Sequence, residues 1–321
     1  MARSNRDISI LSTPTRSSVC ARSLRAPRAA PLWLWFVAAA LLVSAPVWAQ
    51  PAQSTPASVP GDQANVLKVC ADPNNLPQSD KDGQGYENKL AEALARDLGK
   101  RVEYTFFPQR MGFVRNTLRA RDDQTRVYKC DVIIGVPKGY ELTATTRPYM
   151  RSVYAMVVPP QARLGSLSAP EDLLKLPQEK LQSLRIGIFA RTPPTDWLLQ
   201  NGLIDRAVLY PAQSGDPDEH PANVIERDLE AGKIDLAMVW GPVAGFLADR
   251  HKAEKWTMVP FKPDPRLHFD YEIAMGVRFG EDEWRKTLDD WIATHGKDIE
   301  QILVSYRIPL LQTSGSSGSS R

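Results

Sequence analysis

Signatures of catalysis are the first thing missing from this chain of 321 residues. It contains no G-x-G-x-x-G, no P-loop, no G-x-S-x-G and no H-E-x-x-H, so nucleotide-cradle, serine-hydrolase and zincin sites have no sequence support. Its four histidines, His220, His251, His268 and His295, are scattered without metal-ligand spacing. No nucleophile–base pair is visible. The reading is therefore of a protein that is not an enzyme, with no metal and no cofactor. Membrane-length hydrophobicity is also lacking: the run "LWLWFVAAALLV" (32–43) stops at 12 residues, where a spanning helix needs about 20.

What is present begins with that run. It follows Arg3, Arg6, Arg16, Arg22, Arg25 and Arg28, set against one acid, Asp7, and it precedes small residues at Val47 and Ala49. A basic region, a short apolar core and small cleavage positions read as a secretory signal over 1–49. The alternative is an uncleaved anchor. No cysteine follows the cleavage point to carry a lipid. Losing six Arg and one Asp takes the net charge from +3 to −2, which leaves no basic surplus for nucleic acid. A periplasmic protein that does not touch the membrane after cleavage is expected. Residues 50–64 are a flexible Pro/Ser/Ala leader and 311–321 a disordered Gly/Ser tail. Cys20 leaves with the signal. Cys70 and Cys130, an even pair in an oxidising compartment, favour a disulfide over two free thiols.

Between leader and tail, strands and helices alternate. "VLKVCA" (66–71), "VEYTFF" (102–107), "CDVIIGV" (130–136), "SVYAMVV" (152–158), "LRIGIF" (184–189), "VLYPA" (208–212), "LAMVW" (236–240) and "YEIAMGV" (271–277) are short apolar runs that read as strands. "GYENKLAEALARDLG" repeats Tyr86, Leu90, Leu94 and Leu98 at helical spacing and stops at Gly99. "GFVRNTLRAR", "NVIERDLEAG" and "VAGFLADRHKA" also read as helices, and a long amphipathic stretch places Trp284, Leu288, Trp291 and Ile292 on one face. This pattern predicts an α/β fold with a mostly parallel sheet. It runs twice, which suggests two lobes around a cleft.

Ligands of open α/β sheets bind beyond the carboxyl ends of strands. That rule selects Asp72, Asn74 and Asn75 in "CADPNNLP", with an Asx-turn as the structural alternative. It also selects Thr192 in "FARTPPTDWLL", where anion binding competes with simple N-capping by Thr195. Trp240 ends "GKIDLAMVWGP", at a strand end where a ligand contact would sit, with core packing as its alternative. The acidic loop "GDPDEH" (215–220) reads as a solvated surface loop rather than a cation site.

"LKVCADPNNLP", "CDVIIGV", "TTRPYMRSVYAMVV" and "YEIAMGVRFGEDEWRKTLDDWIATHGKDIEQIL" together resemble the type II periplasmic solute-binding proteins over about 65–308. The resemblance implies two α/β lobes, 65–155 plus 273–310 and 156–272, joined by two hinge strands near 153–158 and 271–277. The amino-acid-binding members carry an arginine for the ligand carboxylate; here "PKGYELTATTRPY" offers Tyr140 and Glu141, with Arg147 too late. They also carry an aspartate for the ammonium where this chain has Trp240. The missing anchors argue against amino-acid recognition. Within this superfamily "VCADPNNLP", "FPQRMGFVRNTL", "CDVIIGVPKGYE" and "TTRPYMRSVYAMV" are similar to the J accessory proteins of the periplasmic methanol-oxidation system. An insertion, "RARDDQTRVYKCD", lengthens a loop before Cys130. The resemblance implies a partner, a PQQ-dependent methanol or alcohol dehydrogenase and its cytochrome c. It also places Cys70 and Cys130 on neighbouring strands and adds Tyr149 and Arg151 to the cleft candidates. A solute-binding protein of an ABC transporter with a non-amino-acid ligand is the second reading.

Overall fold

The structure is a computed structural model that describes residues 65–212 and 219–312. The signal, the leader, residues 313–321 and residues 215–218 of the acidic loop lie outside the described residues. The first strand, β1 (Val66–Ala71), passes through a small hairpin, β2 (Asn74–Asn75) and β3 (Ser79–Asp80), into α1 (Tyr86–Asp97). β4 (Arg101–Phe106), α2 (Phe113–Asn116), β5 (Val132–Pro137) and the long β6 (Ala144–Val158) follow. Next come α3 (Gln178–Ser183), β7 (Ile186–Phe189), α4 (Pro193–Gln200), β8 (Ala207–Tyr210) and α5 (Pro221–Glu230). β9 (Leu236–Trp240), α6 (Gly241–Arg250), β10 (Thr257–Pro260) and β11 (Asp270–Val277) lead to α7 (Asp282–Thr294), α8 (Gly296–Ser305) and β12 (Leu310–Leu311). No helix among the described residues is long and apolar enough to cross a membrane.

The strands join in the order β4-β1-β5-β11-β6-β9-β7-β8. The trios β4-β1-β5 and β9-β7-β8 are parallel. The expected mostly parallel sheet is interrupted at its middle, where β11 and β6 run antiparallel to their neighbours. Apolar runs buried on both faces encode burial rather than strand direction, so the reversal left no trace in the pattern. β6 serves both halves: Val153 pairs with Asp270 of β11, and the next residue, Tyr154, pairs with Trp240 of β9. The chain crosses back between β10 and β11, where Phe261 and Phe269 bond to the two backbone groups of Tyr154.

Among the described residues four apolar clusters cover the faces. In the first half Tyr86, Leu90 and Leu94 of α1 meet Trp284 and Leu288 of α7, and Cys70, Phe113, Leu118 and Cys130 form the opposite face. Asn88 caps α1 by accepting from the backbone N–H of Gly85 at 3.1 Å and of Asp80 at 3.0 Å. Gly99, at φ 65°, ends the chain's run along that helix. Cys70 and Cys130 are bonded, with Cα atoms 5.4 Å apart. The helix expected over "GFVRNTLRAR" closes after four residues. There the Thr117 hydroxyl donates back to the Phe113 carbonyl at 2.7 Å, a local bond that competes with continuation of the helix.

Candidate functional site

A cavity of about 860 Å³ opens beyond the carboxyl ends of β4, β5, β7 and β8. The segment after β4 gives it Arg110, Met111, Arg115 and Arg119, and the one after β5 gives Tyr140 and Leu142. Arg191, Thr192 and Pro211 face them from the other half. No carboxylate lines this cleft among the described residues. Met111 is 91 % exposed and Leu142 43 %.

The sequence-derived candidates scatter around this cleft. Thr192 borders it, but its hydroxyl donates to the Phe189 carbonyl at 2.6 Å and caps no backbone N–H. Thr195 lies inside α4, where its hydroxyl oxygen is buried without a partner. Asp72 is buried. Its carboxylate accepts from the backbone N–H of Asn74 at 2.8 Å and from that of Gln109, while Asn75 donates to the Gln109 side chain at 2.8 Å. Asp72 therefore builds the Asx-turn, and both residues fix the segment that presents Arg110 and Met111. Asn74 borders a smaller recess of about 370 Å³ with Glu226, Arg250 and His251.

Tyr149 and Arg151 are not brought to the cleft. β6 turns them toward a separate cavity of about 880 Å³ that Ile292 of α7 and Leu303 of α8 also line. Arg151 is engaged with Asp270 at 2.7 Å and donates to the Gln312 carbonyl at 3.3 Å. Tyr149 is a core residue whose buried hydroxyl lacks a partner, and burial raises its pKa well above the usual phenolic value.

Trp240 is half-buried at the junction of both halves, packed against two of the apolar clusters. Its ring meets Tyr154 and Tyr271 edge-on, with centroids 5.4 Å and 5.9 Å away. The following helix α6 presses on β6, because a Cβ on Gly241 would fall 2.2 Å from the Val153 carbonyl oxygen. Core packing is thus what the structure shows for this tryptophan. Trp240→Ala is expected to lower stability by about 2 kcal/mol, below the range for a fully buried aromatic, read as a fall in the urea midpoint at constant slope. An unchanged midpoint would contradict the packing role.

His251, expected to stand alone, lies with Glu226 and Glu230 so that one ligand atom from each falls within 4.8 Å of the others. The group is already satisfied: Glu226 accepts from Arg250 at 2.7 Å and meets His251 at 2.8 Å, and the imidazole stacks on Trp256 at 4.0 Å. Arg227 and Arg250 border the same recess, so a divalent cation there would sit against two guanidiniums. Nearby, His220 accepts from the Ala222 backbone N–H at 3.2 Å. Burial pushes its pKa down, against the pull of the Asp72 carboxylate.

Beneath the first half's cleft wall, the Glu87 carboxyl is buried beside Gly135. Burial pushes its pKa up to about 7; a hydrogen bond with Tyr86 opposes this and the Asp72 charge adds to it. A carboxyl raised on folding holds its proton longer in the native state, so stability falls as pH rises from the unfolded pKa of 4.5 toward about 7 and is flat above. The fall is expected to reach roughly 3 kcal/mol. Glu87→Gln should flatten it, and a wild-type slope that survives in that variant would reassign the titration.

No family model matches the chain. A curated relative, Protein MoxJ of Paracoccus denitrificans, is 25 % identical over 260 residues, which is 77 % of this chain and 90 % of that protein. The crystal structure of periplasmic binding protein XoxJ from Methylobacterium extorquens AM1 is 32 % identical, with a TM-score of 0.60 over 77 % of this chain and 100 % of that one. The chain belongs to the XoxJ/MxaJ type of periplasmic solute-binding proteins. The crystal structure of MxaJ from Methlophaga aminisulfidivorans MPT shares the fold, at 23 % identity and a TM-score of 0.60 over 76 % of this chain and 100 % of that one. The expected α/β, two-lobed architecture of this superfamily is thereby shown. For an XoxJ/MxaJ-type chain, the cleft residues that sequence reasoning missed are Arg110, Met111, Arg115 and Arg191. "FPQRMGFVR" follows the end of β4, so the strand-end rule that selected Asp72 and Thr192 applied there equally.

Proposed function

We propose that this chain is a non-catalytic periplasmic accessory protein that binds a PQQ-dependent methanol or alcohol dehydrogenase and aids its maturation or activation. The observation that carries the reading is the 32 % identity to XoxJ over the whole of that structure. The cleft supports it: among the described residues no carboxylate lines it to receive an ammonium group, and Met111 is almost fully exposed at its mouth, which suits a protein surface better than an enclosed solute. Lobes at 65–155 plus 273–310 and 156–272 would close about the point where β6 changes partners.

Calorimetry with the purified dehydrogenase tests this. Binding in the micromolar range or tighter is expected, as for specific interfaces of ordinary size. A thermal-shift screen of the standard amino acids should stay flat, since a ligand at 100 times its Kd adds about 2.7 kcal/mol. A silent dehydrogenase titration together with a clear shift from a small solute would move the protein to the transporter reading.

A further inference from the structure

We infer that the cleft receives an acidic protein segment carrying an apolar side chain, an inference that rests on the accessory reading for the source of that segment. Four observations converge. First, among the described residues every charged side chain lining the cleft is an arginine: Arg110, Arg115 and Arg119 on one wall, Arg191 on the other. No lysine and no carboxylate lines it among the described residues. The planar guanidinium fork matches a carboxylate bidentately, whereas lysine offers only a point charge. Second, Arg115 and Arg191 are exposed, and neither enters a salt bridge among the described residues. The like charges of Arg115 and Arg191, converging on one concavity, raise the local potential and favour an anionic partner.

Third, the cleft is apolar between its charges. Met111 is 91 % exposed and Leu142 43 %, and Tyr140 stands beside them in the lining. A free inorganic or small organic anion would satisfy two guanidiniums and leave these side chains in water. A chain segment with alternating acidic and apolar residues covers both. Fourth, the wall bearing Arg110 and Met111 is held in place before any ligand arrives, because the Gln109 backbone N–H donates to Asp72 and its side-chain oxygen accepts from Asn75. Arg119 is likewise tied to the Leu142 carbonyl at 2.7 Å. Preorganised groups spare the ordering entropy of association.

The test uses the full mature protein and a short fluorescent peptide of Asp and Glu residues around a central Phe. Wild type should bind it, with an affinity that falls as salt rises. The same peptide with Asn and Gln in place of its acids should bind at least about tenfold more weakly, and so should the Arg115→Glu/Arg191→Glu variant toward the acidic peptide. Arg115→Gln/Arg191→Gln, with a thermal midpoint matching wild type, separates lost contacts from misfolding; it should fall between the two. Met111→Asp should weaken binding as well. Equal binding of the acidic and amide peptides, no binding of either, or indifference to both arginine variants would overturn the inference. The dehydrogenase titration keeps the two readings apart. If wild type and the charge-reversed variant bind the enzyme alike, the acidic-segment site falls while the accessory role stands. If the enzyme does not bind but the acidic peptide does, the accessory role falls and the site stands.

Discussion

Arg278→Met is expected to cost about 3–5 kcal/mol of stability, visible as a large drop in the urea midpoint. Arg278 is only 6 % exposed. Its guanidinium donates to Asp131 at 2.8 Å, to the carbonyls of Leu118 at 2.9 Å and of Cys130, and to Glu281. Its plane lies over the Tyr128 ring, with the guanidinium carbon 3.9 Å from the centroid. Removing it leaves a buried carboxylate and two carbonyls with no donor, and the penalty of unpaired buried groups outweighs the net worth of the bonds themselves. Arg278→Lys should recover less than half of the loss, because an ammonium cannot reach acceptors arrayed around a planar fork. A shift below about 1 kcal/mol for the Met variant would mean that water or Arg121, which also stacks on Tyr128 at 4.1 Å, takes over.

The second large effect is the disulfide. It closes a loop with a sequence separation of 60, which the chain-entropy model values at about 4 kcal/mol. Cys70→Ser/Cys130→Ser, or reduction of the wild type, should lower stability by roughly that amount in equilibrium unfolding. Because Arg278 donates to the Cys130 carbonyl, the loss should not add simply to that of Arg278→Met; residues sharing one network couple by about 0.5–3 kcal/mol. Strict additivity would show that the arginine and the disulfide hold the inserted segment independently.

How much of this was legible in the sequence depended on what each residue had to satisfy. Runs such as "VLKVCA" and "LAMVW" are buried along nearly their whole length, and an apolar run states that directly. "TTRPYMR" did not read as strand, since Pro148 removes a ladder donor. Yet β6 includes it, because the proline sits opposite Ala274, where the register of β11 shifts and a bulge tolerates the missing N–H. Asp72 and Asn75 were legible as residues at a strand end, but a sequence pattern cannot tell a ligand contact from a side chain holding Gln109. Tyr149 and Arg151 came from motif likeness alone, and strand direction decided which face of the sheet received them. Trp240 was correctly placed at the end of β9, although its neighbours Tyr154 and Tyr271 are remote in sequence. The arginines of the cleft went unnoticed because each is ordinary by itself; only the topology brings 110–119 opposite 191.

The partner change within β6 bears on how force travels through the molecule. One unbroken strand carries both ladders, with Val153 paired to β11 and Tyr154 to β9, so the halves are coupled by backbone hydrogen bonds on either side of a single peptide unit. A rotation between them must be absorbed as torsion there and along the return passage from β10 to β11, because neither ladder can slip without flipping every side chain to the other face. The junction therefore acts as a torsion bar: it permits twist and resists sliding. Amide hydrogens of Val153 and Tyr154 should accordingly rank among the slowest of the described residues to exchange.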